Sequence, residues 1–591
     1  LDTPQSSSLV VYNGLSATIK VTGATTPLAA PLNLRAGDLK KTVLNLYWDA
    51  VEGATGYKLS NITTGQSYIT SDTKYNVTGL EPFTDYTFAV AALYNDEINL
   101  QSESITVALQ FIASIGDVVY DNLTDAINAY EDGQEVVLWA NLPEEDLIIS
   151  KSITLDGQGK TIKNLIVKSN GDITITGGLS VVNDFVIETM NGVSGQYREL
   201  GGQLQITGTA SMDKSLDPSG IVSPKKWYAF SVPFPVSLEN GIYRKSGDLI
   251  IKMVYGDQYY VQEYDGAKRA STGSGWVMTD VKSTLQPGKF YIFASNGYND
   301  VRFVKTEGSP LVSSQTTLSV NEFASASIKN AGWNGLANTQ LFHVDVNSDV
   351  MFAQVYKNGA KEYLTVSLWD ESFVVGVPFF IQQGNGMSSV LDLTKRTRNS
   401  LRGASENINS IYNLRIATAG GEMSDQLFVS ANESASESYV IGKDVEKMGT
   451  PTSASTAQLW CVDYDNMNLS VYEAKLKDGA AHLAFRMYAP AAGNYSLYLN
   501  TNKIPNDGST LYLLKDGVAV HNFNNDGEYS FASSKGLISN YELLIKAADD
   551  ITTVVSENIG NGVFAYIEGD VLYIKNISEF SSYAVGNSIR T

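Results

Sequence analysis

Leu147-Ile148-Ile149-Ser150-Lys151-Ser152-Ile153-Thr154-Leu155-Asp156-Gly157 opens a stretch, running to Ile206, whose reading decides the architecture of the chain. Short β-branched or aliphatic runs recur at Leu147–Ile149, Leu165–Val167, Phe185–Ile187 and Leu204–Ile206, with intermediate runs at Ile153–Leu155 and Ile173–Ile175. A recurrence of about 20 residues is the spacing at which one coil of a parallel β-solenoid lies on the next. Each coil buries its inward residues only against a neighbour, so the pattern implies a scaffold. Gly157, Gly159, Gly171, Gly177 and Gly178 separate the runs, where a missing Cβ eases sharp turns. Asp156 and Asn170 precede glycines and read as turn residues. The pattern spans about four coils, which is short for a solenoid standing alone.

The whole chain has 591 residues, too many for one core and suited to roughly four to six domains. A hydrophobic fraction of 43% supports packed cores, and Gly 50 with many Ser, Thr and Asn points to numerous turns, an all-β profile. Lys+Arg 42 against Asp+Glu 63 gives a net charge of -21, which argues against a nucleic-acid partner. Cys461 is the single cysteine, so neither an intrachain disulfide nor a thiolate metal cluster can form. It lies in the apolar run Leu459–Val462 and is expected to be buried. No apolar segment is long enough for a transmembrane helix. The chain opens polar at Leu1 without a basic and then apolar leader, as expected of a mature or trimmed form.

Alternation at Leu9–Tyr12 and Ala17–Val21 predicts two strands, followed by a linker at Thr25-Thr26-Pro27 and Pro31, so residues 1–30 are set apart. Seven short strands are expected between Pro31 and Leu109. Trp48, Gly56-Tyr57-Lys58-Leu59, Thr78-Gly79-Leu80-Glu81-Pro82 and Tyr86 ahead of Phe88 and Val90 together resemble a fibronectin type III module over residues 31–110. The resemblance implies that Trp48 packs between sheets and Tyr86 closes a corner. It implies no ligand, since the fold also serves as a spacer.

Asn122-Leu123-Thr124-Asp125 begins a helix, with Asn122 as N-cap and Leu123, Ala126, Ile127 and Tyr130 as one apolar face. Ahead of the coils, it would cover the open solenoid end and complete a unit at 111–210. Leu123-Thr124-Asp125-Ala126-Ile127 and Lys151 through Gly157 resemble the start of right-handed β-helix proteins of the pectate-lyase type, which include polysaccharide lyases, hydrolases and adhesins. Lyase chemistry in that family calls for convergent carboxylates on calcium and a nearby basic residue. The candidate acids Asp156, Asp172 and Asp184 are not spaced by one coil, so each is expected to cap a turn.

Beyond Ser211 the period stops. Trp227–Phe234, Tyr255, Tyr259, Tyr260, Tyr264, Trp276 and Leu285–Phe293 predict an aromatic β-domain over 211–325, echoed by Phe373–Ile381 in a β-domain over 326–405; the two are related domains or halves of one sandwich. Alternating runs between Tyr412 and Leu499, with hairpins signalled at Lys515-Asp516-Gly517 and Asn525-Asp526-Gly527, predict a β-sandwich over 406–547. The order of Trp227–Phe234, Pro287–Phe293 and Asp425-Gln426 through Asp444-Val445-Glu446-Lys447 resembles the rear portion of large secreted or surface proteins of Bacteroidetes. Gly562–Ile574, in the β segment 548–591, is similar to the opening of their C-terminal sorting domains.

Three histidines, His343, His482 and His521, are too scattered for zinc; His343 and His482 read as satisfied strand residues and His521 as preceding a turn. No Gly-x-Ser-x-Gly elbow or dinucleotide fingerprint in a helix-opening turn occurs. Asp463–Asn468 and Asn522–Asp526 could hold calcium, but Asn, Asp and Gly are also what tight turns require. No catalytic residue and no required cofactor is assigned. Sugars stack on exposed aromatic rings, and the candidate ligand-binding residues are Tyr259, Tyr260, Trp276 and Trp333. Tyr259 and Tyr260 are adjacent on a strand, so one points outward, while Trp276 and Trp333 are expected in exposed loops. The sequence thus predicts an extracellular or outer-surface multidomain all-β protein: a fibronectin type III sandwich, a short helix-capped parallel β-helix and further sandwiches. The expected work is non-enzymatic adhesion to a glycan or another surface protein. The competing expectations are calcium-dependent polysaccharide cleavage in the β-helix, and a passive stalk.

Overall fold

The computed structural model describes residues 27–548, apart from 217–225, 346–351, 358–361, 368–371, 394–410 and positions 96, 191, 248, 385, 386, 388, 419, 420, 422, 502 and 503. It also describes the strand backbones Leu9–Val10, Ser16–Ala17, Glu557–Asn558, Phe564–Glu568 and Val571–Lys575. The fold is all-β. Leu9–Val10 pairs antiparallel with Ser16–Ala17, and the rest of the two expected N-terminal strands lies outside the described residues.

Residues 35–108 form a sandwich. Arg35–Lys40, Val43–Tyr47 and Lys74–Thr78 make one sheet. Gly56–Asn61, Ser67–Thr70 and Asp85–Tyr94, with Glu97–Gln101 and Ile105–Ala108 both along Asp85–Tyr94, make the other. Alternation in Val43–Tyr47 sends Leu44 and Leu46 fully inside. Trp48 is buried edge-on to Tyr57 at 5.6 Å, and the Tyr86 hydroxyl accepts the Glu81 N–H at 2.8 Å. Both residues have the places the resemblance implied.

This sandwich is clasped to the next unit of the chain. Val118 pairs with Lys40, Phe83, Phe111 and Trp139 form an aromatic cluster, and the Lys41 ammonium stands 4.6 Å from the Trp139 ring centroid. The helix Leu123–Ala129 forms as its sequence predicts: the Asn122 side chain accepts the Asp125 N–H at 2.8 Å. Leu123, Ala126 and Tyr130 pack into the same core as Val136 and Leu138, closing the first end of the stack.

The coils are parallel. Leu147 lies on Leu165, Leu165 on Phe185 and Phe185 on Ala210; Ile153 lies on Ile173 and Ile173 on Tyr197; Ile162 lies on Val181 and Val181 on Ile206. These three columns bury nearly every inward side chain. The even period needs correction: Leu204–Ile206 stacks on Leu179–Val181, and the run above Phe185–Ile187 is Ala210–Met212. The last coil is longer than those before it, which displaces the run from its expected column. Close approach, more than turning, is what demands glycine at the corners. A Cβ on Gly171 would lie 2.2 Å from the Ile149 carbonyl oxygen, and one on Gly195 would lie 2.6 Å from that of Val167.

The stack does not stand alone. Ala210–Ser215 runs parallel to Phe185–Met190 on one edge and antiparallel to Asp300–Val304 on the other. Asp213, on this strand, takes Arg302 through two bonds of 2.6 and 2.9 Å and Lys245 at 2.5 Å. One core runs from Leu123 through the coils to Tyr228, Phe230, Tyr259, Phe293 and Phe303.

Two layered sheets come next in the chain. Trp227–Phe230, Tyr291–Ser295, Tyr259–Tyr264 and Trp276–Met278 form a four-stranded antiparallel sheet. Its second face, with Ala229, Tyr264, Phe290 and Ile292, packs on Trp333 and Phe380. Those belong to a second antiparallel sheet of Trp333–Ala337, Pro378–Gln382, Phe352–Lys357 and Glu362–Ser367. The far face of that sheet, with Leu336, Phe379 and Ile381, packs under Leu318 and Leu391.

From Tyr412 to Lys546 the described strands are antiparallel, apart from the parallel pair of Met423–Asn432 and Asn468–Lys475, and enclose a further core. Lys447 and Asp425 are sealed beside it as an ion pair at 2.6 Å, and Asp425 also accepts the Leu459 N–H at 2.8 Å. Asp516 and Gly517 both take positive φ in a two-residue hairpin joining Thr510–Lys515 to Val518–Asn522. Asn525-Asp526-Gly527 is not a hairpin: Glu528–Ser533 leaves the preceding strand and pairs with Gly493–Leu499. At the end Phe564–Glu568 and Val571–Lys575 pair antiparallel.

Candidate functional site

A cleft of about 930 Å³ lies beside the two stacked sheets, in the upper range of ligand clefts. Its walls come from stretches far apart in sequence, among them Glu263–Gly266, Val277–Asp280, Gln286–Lys289, residues between Ser313 and Phe323, and Asn334–Leu336. Prolines 233, 235, 287 and 310 are among its lining residues.

Its charged groups are partnered. Lys289 lies 3.2 Å from Glu263. Asp265 accepts the Lys268 N–H at 3.1 Å, as N-cap of the helix Gly266–Thr272, and Asp280 accepts the Lys282 N–H at 2.8 Å. Asn334 fixes the inner wall by exchanging two 2.9 Å bonds with the backbone of Asn321. Lining hydroxyls and amides come from Thr279, Ser283, Gln286, Ser314 and Gln315. Val277 and Met278 are the exposed apolar side chains, at 37% and 51%. The lining aromatic residues Phe234 and Tyr264 are buried and Phe323 is half-buried.

The four aromatic residues expected to meet a ligand divide. Tyr259 is fully buried, its hydroxyl donating to the Leu238 carbonyl. Tyr260 turns outward at 41% exposure. Trp276 is half-buried, edge-on to Tyr264 and Phe290 at 5.3 and 5.4 Å. Trp333 is not in an exposed loop: it opens a strand, is fully buried, and its indole N–H donates to the Lys329 carbonyl at 3.0 Å under the Arg269 guanidinium.

The solenoid acids stay apart. Asp156 accepts the backbone N–H of Gln158 at 3.1 Å, Asp172 pairs with Arg198 at 2.7 Å, and Asp184 accepts the Thr209 hydroxyl at 2.7 Å. In the two loops considered for calcium, Asp463 accepts from the N–H groups of Asp465 and Met467, Asn522 from that of Asn524 and Asp526 from that of Glu528. Among the described residues, no three His, Cys, Asp or Glu converge as metal ligands. His343 lies outside a regular strand with a buried Nε2 that lacks a partner among the described residues, and burial pushes its pKa down. His482 pairs with Glu542 at 2.7 Å, which pushes its pKa up. His521 sits near the end of the strand Val518–Asn522, just ahead of the turn at residues 523–525, and its Nε2 meets the Asp526 carbonyl at 2.7 Å. Cys461 is buried, and burial pushes its thiol pKa up.

The cleft residues themselves escaped the sequence reading. Their one signal was the clustering of prolines at the ends of aromatic strands, because the walls are separated in sequence and meet only through sheet stacking.

No curated protein matches the chain. Among the described residues, no helix is long and apolar enough to cross a membrane. Of the solved structures, the fn3 domain of the human collagen alpha-1(XX) chain is 23% identical, covering 15% of this chain and 90% of that one, with a TM-score of 0.13. The FN5 domain of Drosophila Lar is 26% identical, covering 14% and 96%, with a TM-score of 0.12. Residues 29–108 match the family profile of the fibronectin type III domain, so the chain carries one such module at its front.

Proposed function

We propose that this is a multidomain binding protein of the adhesion type, working outside the cell or at its outer surface, that holds a partner in the cleft without breaking bonds in it. The observation that carries this reading is the state of the cleft carboxylates. Glu263 is held by Lys289, and Asp265 and Asp280 by backbone N–H groups. Glycosidic cleavage needs one carboxyl to donate a proton and a second to act as base or nucleophile, and neither role suits groups tied in this way. Cleavage in the solenoid has less support, since Asp156, Asp172 and Asp184 each serve a separate local bond and calcium takes six to eight converging oxygens. The fibronectin type III module suits a binding role, being common in adhesion proteins.

Within the cleft, exposed Val277 and Met278 favour a polypeptide over a sugar, which would stack on an open ring. The glycan alternative rests on Tyr260 and Trp276, which keep accessible ring surface. The test exposes the full chain to a glycan array and to surface-protein extracts, with calcium and with chelator, beside a reducing-end assay on acidic polysaccharides. Saturable retention without product is expected; calcium-dependent product release would overturn the proposal.

A further inference from the structure

We infer that the outer edge of Trp276–Met278 is a strand acceptor: an extended polypeptide segment, apolar at alternate positions and flanked by lysine or arginine, adds to it inside the cleft. This rests on the reading of the cleft as the binding site.

The case begins with backbone groups. Among the described residues Trp276–Met278 pairs only with Tyr259–Tyr264, with Val277 opposite Glu263. The Asp265 N–H donates to the Gly275 carbonyl at 2.7 Å and the Thr279 N–H to the Val261 carbonyl at 3.1 Å. In an antiparallel ladder, bonded pairs alternate with non-bonded ones. Val277 therefore directs its N–H and carbonyl at Glu263, while those of Trp276 and Met278 point to the opposite edge. The Trp276 carbonyl accepts the Lys268 ammonium at 2.6 Å. The Met278 N–H and carbonyl have no partner among the described residues.

Free edges of this kind are normally blunted by proline, inward charge or a bulge. Trp276-Val277-Met278-Thr279 carries none of these, and Val277, Met278 and Thr279 line the cleft. An added strand gains main-chain bonds from the edge and specificity from alternate side chains. Charge selects further. With Lys289 beside Glu263 and the Lys268 ammonium on the Trp276 end of the edge near Asp265, Asp280 at the Met278 end remains without a cation among the described residues, in a chain of net charge -21, so a segment with a basic flank at that end is favoured.

The experiment uses the full chain and immobilised random peptides of about 10 residues, the upper length of common strands, flanked by lysine. The same peptides N-methylated at alternate residues and a neutral glycan array are run in parallel. Peptides are expected to bind, binding is expected to weaken with salt, and N-methylation in one register is expected to abolish it. Met278→Pro removes the edge N–H while leaving the Val277 pairing intact and is expected to weaken binding at least about 10-fold, the effect of losing about 1.4 kcal/mol. Asp280→Asn is expected to weaken it less and to flatten the salt dependence. N-methylated peptides acting on the unaltered chain keep the test decisive if Met278→Pro does not fold. Peptides that bind equally well when N-methylated in either register overturn strand addition but, if Asp280→Asn weakens them, leave the cleft reading standing. Glycans retained in place of peptides, and lost on Asp280→Asn, do the same. Retention of no probe overturns both.

Discussion

A methyl group on Gly171 would meet the Ile149 carbonyl oxygen at 2.2 Å, and that oxygen belongs to a backbone pinned between coils. Gly171→Ala is expected to destabilise the stack by about 1–3 kcal/mol, the usual range for overpacking, read as a lower denaturant midpoint with unchanged slope. Asp444 makes a different single-residue claim. It is buried, its two oxygens accept the N–H groups of Val440 and Glu473 at 2.8 and 2.9 Å, and burial raises its pKa from 3.8 to about 6. A carboxyl with a raised folded-state pKa favours folding below its unfolded value and loses that contribution as pH rises through the folded value. Relative to Asp444→Asn, the unaltered chain is therefore expected to lose stability on the order of 2–3 kcal/mol between about pH 4 and about pH 8. Parallel denaturation curves at several pH values check this, and a pH-independent difference would refute it. Single residues were also where the sequence misled most. Trp333 follows Gly332 and reads as a loop residue, yet Gly332, at φ +69, is the turn that admits the chain to a buried strand.

Elements were legible where local chemistry decides them. The helix Leu123–Ala129 follows from Asn122 and its apolar face, and Asn122→Ala is expected to cost about 0.5–2 kcal/mol. Because this helix covers the end of the core, the loss should appear as faster hydrogen exchange around Val136 and Leu138 before the coils themselves open. Alternation gave the strands of the front sandwich, since period 2 maps directly onto inside and outside. Pairing was less legible. Leu204–Ile206 has the composition of a stacked run, but its column depends on the length of the intervening coil, which no local pattern records. Asn525-Asp526-Gly527 has hairpin chemistry, and only the distant Gly493–Leu499 explains why the chain leaves instead of folding back.

At the scale of the molecule, the solenoid and the layers behind it share one core, whereas the front sandwich has its own. Expressed alone, residues 29–110 should melt cooperatively. Residues 111–216 alone should not, because Met212 and Leu216 lose Tyr228, Phe230 and Phe303, and extension through residue 393, which supplies Pro378–Gln382 as the partner strand of Trp333–Ala337, should restore a single sharp transition, checked by calorimetry. The cleft belongs to this scale too, which is why a reading of local patterns did not reach it. Strand direction at Ala210–Ser215 has one more consequence. A further coil laid on that edge would need a parallel neighbour, and Asp300–Val304 offers an antiparallel one locked to Asp213 through Arg302. The rod is therefore stoppered at its rear, as the helix stoppers its front. Lengthening in evolution or by design has to be spliced between existing turns, where both sides already run the same way.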